Sequence, residues 1–432
     1  MVGYFTEPGG SKQREMLLTD YLILFSVALA LYFALKPELA IADNWLRHTP
    51  LAALFPPLLL TLAGGALFSP AGAGRAARLW TTLWPLLLLA GTIVAGGLYA
   101  RFQHGEQNSF LTVGLYMLTV LPVSALLLLR SASVKAILTI YFTSLTLLLV
   151  AVLVTGMVAF QRAEELYHEL EFLIIPLALV FVLRAATSGQ RCVALVACVG
   201  AAYVIHKNTA YLVALLTLGY LCTTVWLPAA AERSRPGKTM APYMLIATLF
   251  LALAAVAVLA VTYVVQNRAD FLPTGNPEFR LHTYAIAWNR FLASPLWGSL
   301  FSESASNRFT LFRVGASTQV LPTHSDTLDI LANGGVASLA LLLYGACRLA
   351  VFAWRNLLAP RFATGAWWAY GHTLACMSLA ALVTCSLNPI LLQPGKAFFV
   401  WVNAGWLLAL AILNARNASP APGASMPSGN LP

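Results

Sequence analysis

Residues 321–343 read LPTHSDTLDILANGGVASLALLL. Short polar side chains run directly into an apolar stretch. Ser325 or Asp326 stands where a helix N-cap belongs, because a side-chain oxygen there accepts from a backbone N–H of the first turn. The apolar residues that follow, 328–347, approach the length of about 20 that a membrane span needs. The same reading, carried outward, gives about twelve spans: 16–35, 50–68, 79–99, 110–129, 135–159, 170–184, 192–206, 209–228, 240–265, 328–347, 366–387 and 396–414. Composition agrees. The 432-residue chain is 59% hydrophobic and 10% charged, whereas soluble domains carry roughly 25% charged residues. A soluble globular domain and a disordered chain are both excluded. The expected fold class is an all-α integral membrane protein.

Short loops join these spans except at 266–327, between the ninth and tenth. Most Lys and Arg residues outside that loop fall on one side, which places both termini in the cytoplasm and the long loop on the outer face. The expected organisation is a cytoplasmic tail (1–15), spans one to nine (16–265), the outer loop (266–327), spans ten to twelve (328–414) and a disordered cytoplasmic tail (415–432) rich in Pro, Ser, Gly and Ala. The net charge of +10 is assigned to basic cytoplasmic loops, not to a nucleic-acid partner. The six cysteines lie in or beside apolar segments and read as small buried hydrophobes.

A long loop in a compact protein is usually functional. Within it, 279–292 is expected to be helical, with Leu281, Tyr284, Ala285, Trp288, Phe291 and Leu292 forming an apolar, buried face. Arg280 falls at the edge of that face. Arg290 falls on the polar side and reads as a solvated charge. Residues 298–320, with Arg308 and Arg313, carry no assignable structure and read as a mobile flap. His324 closes the loop. A third polar element, His206-Lys207-Asn208, interrupts two apolar segments as a tight hairpin or a broken helix. The topology brings Lys207, Arg280 and His324 to one face. Each has a plainer role: a snorkelling lysine, an arginine paired with Glu278 or Glu303, a histidine beside a helix cap. Together, two cations and a titratable base suit phosphate or pyrophosphate departure with proton transfer from an acceptor hydroxyl, and the surrounding apolar helices suit a lipid tail.

Other chemistries lack their residues. The sequence has no GxxxxGK[ST] loop, no GxGxxG, no HExxH, no GxSxG and no Asp-x-Asp. Only five aspartates exist, so no metal and no cofactor are expected.

The ordered set HKNTAYLVAL (206–215), FRLHTYAIAW (279–288), SPLWG (294–298) and HSDTLDILANGGV (324–336) resembles the O-antigen ligase and polymerase superfamily, most closely its ligases. The motifs lie within 190–345; the rest of the chain matches in hydropathy alone. The resemblance implies a GT-C-like glycosyltransferase with about twelve helices and one large, partly helical periplasmic loop in the bacterial inner membrane. Such enzymes transfer O-antigen from undecaprenyl pyrophosphate to lipid A–core, completing lipopolysaccharide, without metal and with inversion. The family's loop arginine falls on Arg280 and its loop-end histidine on His324. Lys207 replaces the arginine of the family's Ser-Arg-Gly element, keeping charge but losing bidentate phosphate binding. Ser325 stands where the family often has Asn. Arg308 and Arg313 are then candidates for acceptor phosphates. Alternatives are an O-antigen polymerase, a protein O-oligosaccharyltransferase and, more distantly, a transporter or flippase. The implied partners are the lipid-linked donor, the lipid A–core acceptor and membrane lipids.

Overall fold

The computed structural model describes residues 73–104, 109–130, 134–160, 170–226, 276–303, 310–314, 317–321, 323, 325–363 and 365–417. The predicted spans at 16–35, 50–68 and 240–265, and both tails up to 15 and from 418, lie outside these residues. Helices dominate: α1 (Ala73–His104), α2 (Ser109–Arg130), α3 (Val134–Val158), α4 (Glu171–Ile174), α5 (Ala178–Arg184), α6 (Ser188–Ile205), α7 (Asn208–Tyr220), α8 (Asn276–Ala293), α9 (Asp326–Ala353), α10 (Trp368–Leu387) and α11 (Pro394–Asn417). One antiparallel hairpin, β1 (Thr310–Val314) and β2 (Ser317–Leu321), sets Thr310 opposite Leu321 and Val314 opposite Ser317. Residues 310–314 and 317–321 are therefore not the structureless flap expected from their composition.

Among the described residues, seven helical stretches are long and apolar enough to cross a membrane, with Val113–Leu129 as a shorter apolar helix. These eight correspond to predicted spans. The span expected at 170–184 is instead two short helices, α4 and α5, with a turn at 175–177. Pro176 lies in that turn; it lacks an N–H and so breaks the helical ladder. The span expected at 328–347 is longer, running from Asp326 to Leu358. The last helix continues to Asn417, three residues beyond the expected boundary.

α2 and α11 pack at the centre. A Cβ on Gly405 would lie 2.1 Å from Ser124 Oγ, so only glycine lets these backbones approach. Small residues do this work between membrane helices, where lipid is as apolar as the partner helix. α3 joins them through Tyr141, whose hydroxyl donates to Asn403 Oδ1 at 2.6 Å in the buried interior.

The helices give the bundle two ends of different chemistry. At one end lie the start of α9, the end of α10, the α6–α7 junction and α8. At the other lie Arg78, Lys135, Arg184, Arg191, Arg348, Arg355 and Arg361, placed by contacts such as Arg348 Nη2 to the Thr81 carbonyl (2.6 Å) and Asn414 Nδ2 to the Asn356 carbonyl (2.7 Å). Every carboxylate whose side chain is described, namely Glu171, Glu303, Asp326 and Asp329, lies at the first end.

α9 is broken near that first end. Gly335 has φ 65° and ψ −172°, outside helical space. The segment after α8 fills the break: Val336 N–H donates to the Pro295 carbonyl at 2.8 Å, Ala337 N–H to Leu296 at 3.1 Å, and Phe301 N–H to Asn333 at 3.2 Å. SPLWG and ANGGV are thus two halves of one docking joint.

Candidate functional site

α8 forms as expected, with Pro277 in its first turn and Ser294-Pro295 just past its end. Its orientation differs from the expectation. The protein-facing side is Thr283 and Ala287, flanked by half-buried Arg280, Tyr284 and Arg290, while Trp288 is 47% and Leu292 57% exposed. The exposed apolar ridge continues through Leu296, Trp297 and Leu300. A periodicity argument assigns the apolar face to a protein core. For a helix lying along a membrane surface, lipid takes that place and the polar side meets the protein.

Polar contacts hold α8 to both neighbours. Arg280 Nη1 donates to the Leu387 carbonyl at 3.2 Å, and its Nη2 to Asn388 Oδ1 at 3.4 Å. The carbonyls at a helix C-terminus carry partial negative charge, which favours a cation. Thr283 Oγ1 donates to the Thr323 carbonyl at 3.3 Å. Thr323 in turn receives the Ser325 N–H at 3.3 Å, and Ser325 Oγ accepts from Leu328 N–H at 3.2 Å as the N-cap of α9. Asp326, the other expected cap, instead accepts the Leu391 N–H at 2.7 Å, tying α9 to the chain before α11.

Arg280 has no carboxylate partner among the described residues. Glu303, one of its expected partners, sits 3.7 Å from Arg290 Nε; the side chain of Glu278 lies outside the described residues. The bonds to Leu387 and Asn388 do not exhaust the five N–H donors of a guanidinium. Arg290, expected to be solvated, is half-buried and its Nη1 is enclosed. Burial pulls the Arg290 pKa down, and the nearby Glu303 and Asp329 charges oppose that. Burial likewise raises the Tyr284 pKa; Asp329 adds to the effect and Arg280 counters it.

Lys207 is the half-buried N-cap residue of α7, following His206 in the left-handed conformation (φ 50°). Thr217 meets Cys376 and Tyr220 meets His372, so α7 runs antiparallel to α10. Its start, with Lys207, therefore lies at the end of the bundle where Arg280 meets Leu387 and Asn388. Of the two expected arrangements, the hairpin is the one present, and Lys207 and Arg280 share one end. His206 belongs to an aromatic cluster with Phe160, Tyr203 and Tyr211, and its Nδ1 is 3.1 Å from the Tyr211 hydroxyl. Arg191 sits at the opposite end, bonded to the Ala185 carbonyl. His324 and Arg308 lie outside the described residues. For Arg313 the backbone register is defined, opposite Thr318.

Several residues of this end escaped the sequence. Asn388 is one; its signal was the Asn388-Pro389 break between two spans, a turn-forming pair. Glu171 is another. It closes the acidic stretch 163–171, yet it is fully buried, and composition does not separate it from solvated neighbours. Among the described residues no group of three or more His, Cys, Asp or Glu side chains is placed to hold a metal ion. All six cysteines are free thiols; Cys198, Cys376 and Cys385 are buried, while Cys192 and Cys222, expected to be buried, are exposed. Searches of the chain against protein-family models and against curated proteins find no match.

Proposed function

We propose that this protein is a polyprenyl-pyrophosphate-dependent glycosyltransferase of the O-antigen ligase type. It transfers O-antigen from undecaprenyl pyrophosphate to a sugar hydroxyl of lipid A–core in the bacterial inner membrane, with the site facing the periplasm and both termini cytoplasmic. The observation that carries the proposal is Arg280: a half-buried guanidinium without a carboxylate partner among the described residues, at the same end of the bundle as Lys207.

In this reading the donor enters sideways from the outer leaflet. Lys207 and Arg280 bind its pyrophosphate, and Asn388 and the α10 terminus orient Arg280. The acceptor oxygen attacks the anomeric carbon, forming the new glycosidic bond as the bond to pyrophosphate breaks. His324 takes the acceptor proton. Negative charge grows on the leaving group, and fixed cations in a site of low dielectric favour that state. General-base assistance contributes typically 10²–10⁴-fold, so leaving-group electrostatics and positioning carry the larger share. The reaction needs no metal or nucleotide and inverts the anomeric centre. Arg308 and Arg313 contact acceptor phosphates.

The test is transfer in vitro. The full-length protein in nanodiscs receives the lipid-linked glycan and lipid A–core, with EDTA and no nucleotide. Glycan moving onto the core, and lost in His324→Ala, supports the ligase. Lengthening of the donor glycan alone points to a polymerase. Neither product from a folded sample with matched substrates removes the glycosyltransferase reading and favours transport.

A further inference from the structure

A cavity of about 660 Å³ lies at the opposite end of the bundle, between α3, α5, α6 and the start of α10. Along α3 its lining runs from Thr139 to Leu149. Ten residues of helix rise about 15 Å, which is one leaflet's share of a hydrocarbon core about 30 Å thick. Its wall is mainly apolar, and its rim residues Phe181 and Val193 are 40% and 70% exposed, so it opens on the flank of the bundle. Among the described residues, one cation lines it. Arg184 stacks over the Tyr370 ring, 5.0 Å from its centroid, and donates from Nη1 to the Tyr370 hydroxyl at 2.5 Å. No carboxylate among the described residues lies at this end, whereas seven Lys and Arg side chains do: Arg78, Lys135, Arg184, Arg191, Arg348, Arg355 and Arg361.

We infer that this cavity is a binding site for an anionic glycerophospholipid of the leaflet at the basic end. Arg184 holds the headgroup phosphate, and the apolar wall below it takes an acyl chain. A soluble anion would leave the lower 10 Å or so of apolar wall unused. A zwitterionic lipid offers the same phosphate but brings its own cation into a cluster of like charges. Basic pockets between membrane helices recognise anionic headgroups in this way. Tyr370 gives Arg184 a fixed direction without neutralising it. The site is distinct from the one proposed for glycan transfer and does not depend on that reading.

The experiment is native mass spectrometry of the full-length protein released from nanodiscs of equal parts phosphatidylglycerol and phosphatidylcholine. The wild type retains phosphatidylglycerol preferentially. Arg184→Gln lowers that retention about fivefold, the loss expected for one cation near a headgroup. Ala197→Phe, which fills the apolar wall, lowers it as well. Arg361→Gln, an exposed cation at the same end but outside the cavity, leaves it unchanged. Equal retention of the two lipids by the wild type overturns the site. So does full retention by Arg184→Gln, or an equal loss in Arg361→Gln, which would show only diffuse attraction. Arg184 is exposed, so its variant carries the test even if Ala197→Phe fails to fold.

Discussion

The Leu296 carbonyl fills the place where a side chain on Gly335 would stand; a Cβ there would lie 2.3 Å from that oxygen. The break in α9 and the turn after α8 therefore exist for each other. The break frees the N–H groups of Val336 and Ala337, and the carbonyls of Pro295 and Leu296 accept them. Gly335→Ala meets both this contact and a positive φ of 65°. A strained residue costs about 1–3 kcal/mol, so thermal unfolding in detergent should show a clear loss. Limited proteolysis should open the 294–303 segment. Gly91→Ala, where nothing lies within 4 Å of the added carbon, should leave the melting curve nearly unchanged.

Arg280 gives the most direct test of the proposed chemistry. Arg280→Ala should reduce glycan transfer at least as much as His324→Ala, because general-base help is worth about 10²–10⁴-fold and charge on the leaving group more. Asn388→Ala should cost less than Arg280→Ala, since Asn388 holds the guanidinium at 3.4 Å without replacing its charge. Initial rates on matched donor and acceptor decide it; a near wild-type Arg280→Ala removes this residue from the mechanism.

Lys207→Arg should keep transfer or raise it. An arginine restores the planar fork that binds phosphate oxygens in pairs, and the N-cap position of Lys207 makes no side-chain cap bond that the change would break. Lys207→Gln should raise the apparent donor KM. A donor titration with each variant separates the two effects.

Arg290 pairs with one acid, Glu303, and lies near a second, buried one, Asp329. Its pair with Glu303 is partly exposed, 18% and 38% for the two side chains, so a double-mutant cycle between them should give less than about 1 kcal/mol. Asp329 is nearly fully buried. Removing the nearby cation leaves that buried carboxyl without an opposing charge, so Arg290→Gln should destabilise more than Glu303→Gln, and Asp329→Asn placed on Arg290→Gln should recover part of the loss. Unfolding of the single and double variants reads this; additivity would sink the coupling.

The buried Tyr141–Asn403 bond links α3 to α11. Tyr141→Phe should destabilise by about 0.6 kcal/mol and no more than about 1.7 kcal/mol, the range for interhelical hydrogen bonds in membranes. Gly405→Leu, which drives a side chain into Ser124 and the Leu121 carbonyl, should be far worse.

Long apolar helices were legible at eight of the twelve expected spans, because hydropathy over about 20 residues is a local property and lipid imposes the same demand on every span. A cap at Ser325 or Asp326, the approximate α8 boundaries and a break at Lys207 were legible for a similar reason: capping and helix breaking depend on residues a few positions apart. Tertiary structure alone decided the rest. Periodicity correctly found two faces on α8 but assigned the wrong one to the protein, since amphipathicity does not say whether lipid or core is the apolar partner. Arg290 was read as solvated and Glu303 as a partner for Arg280; their pairing depends on how the 294–303 turn docks into α9. That docking pairs residues about forty positions apart, Pro295 with Val336 and Leu296 with Ala337. The glycines at 334 and 335 were visible from the start, but a gap in a helix acquires meaning only from the segment that fills it.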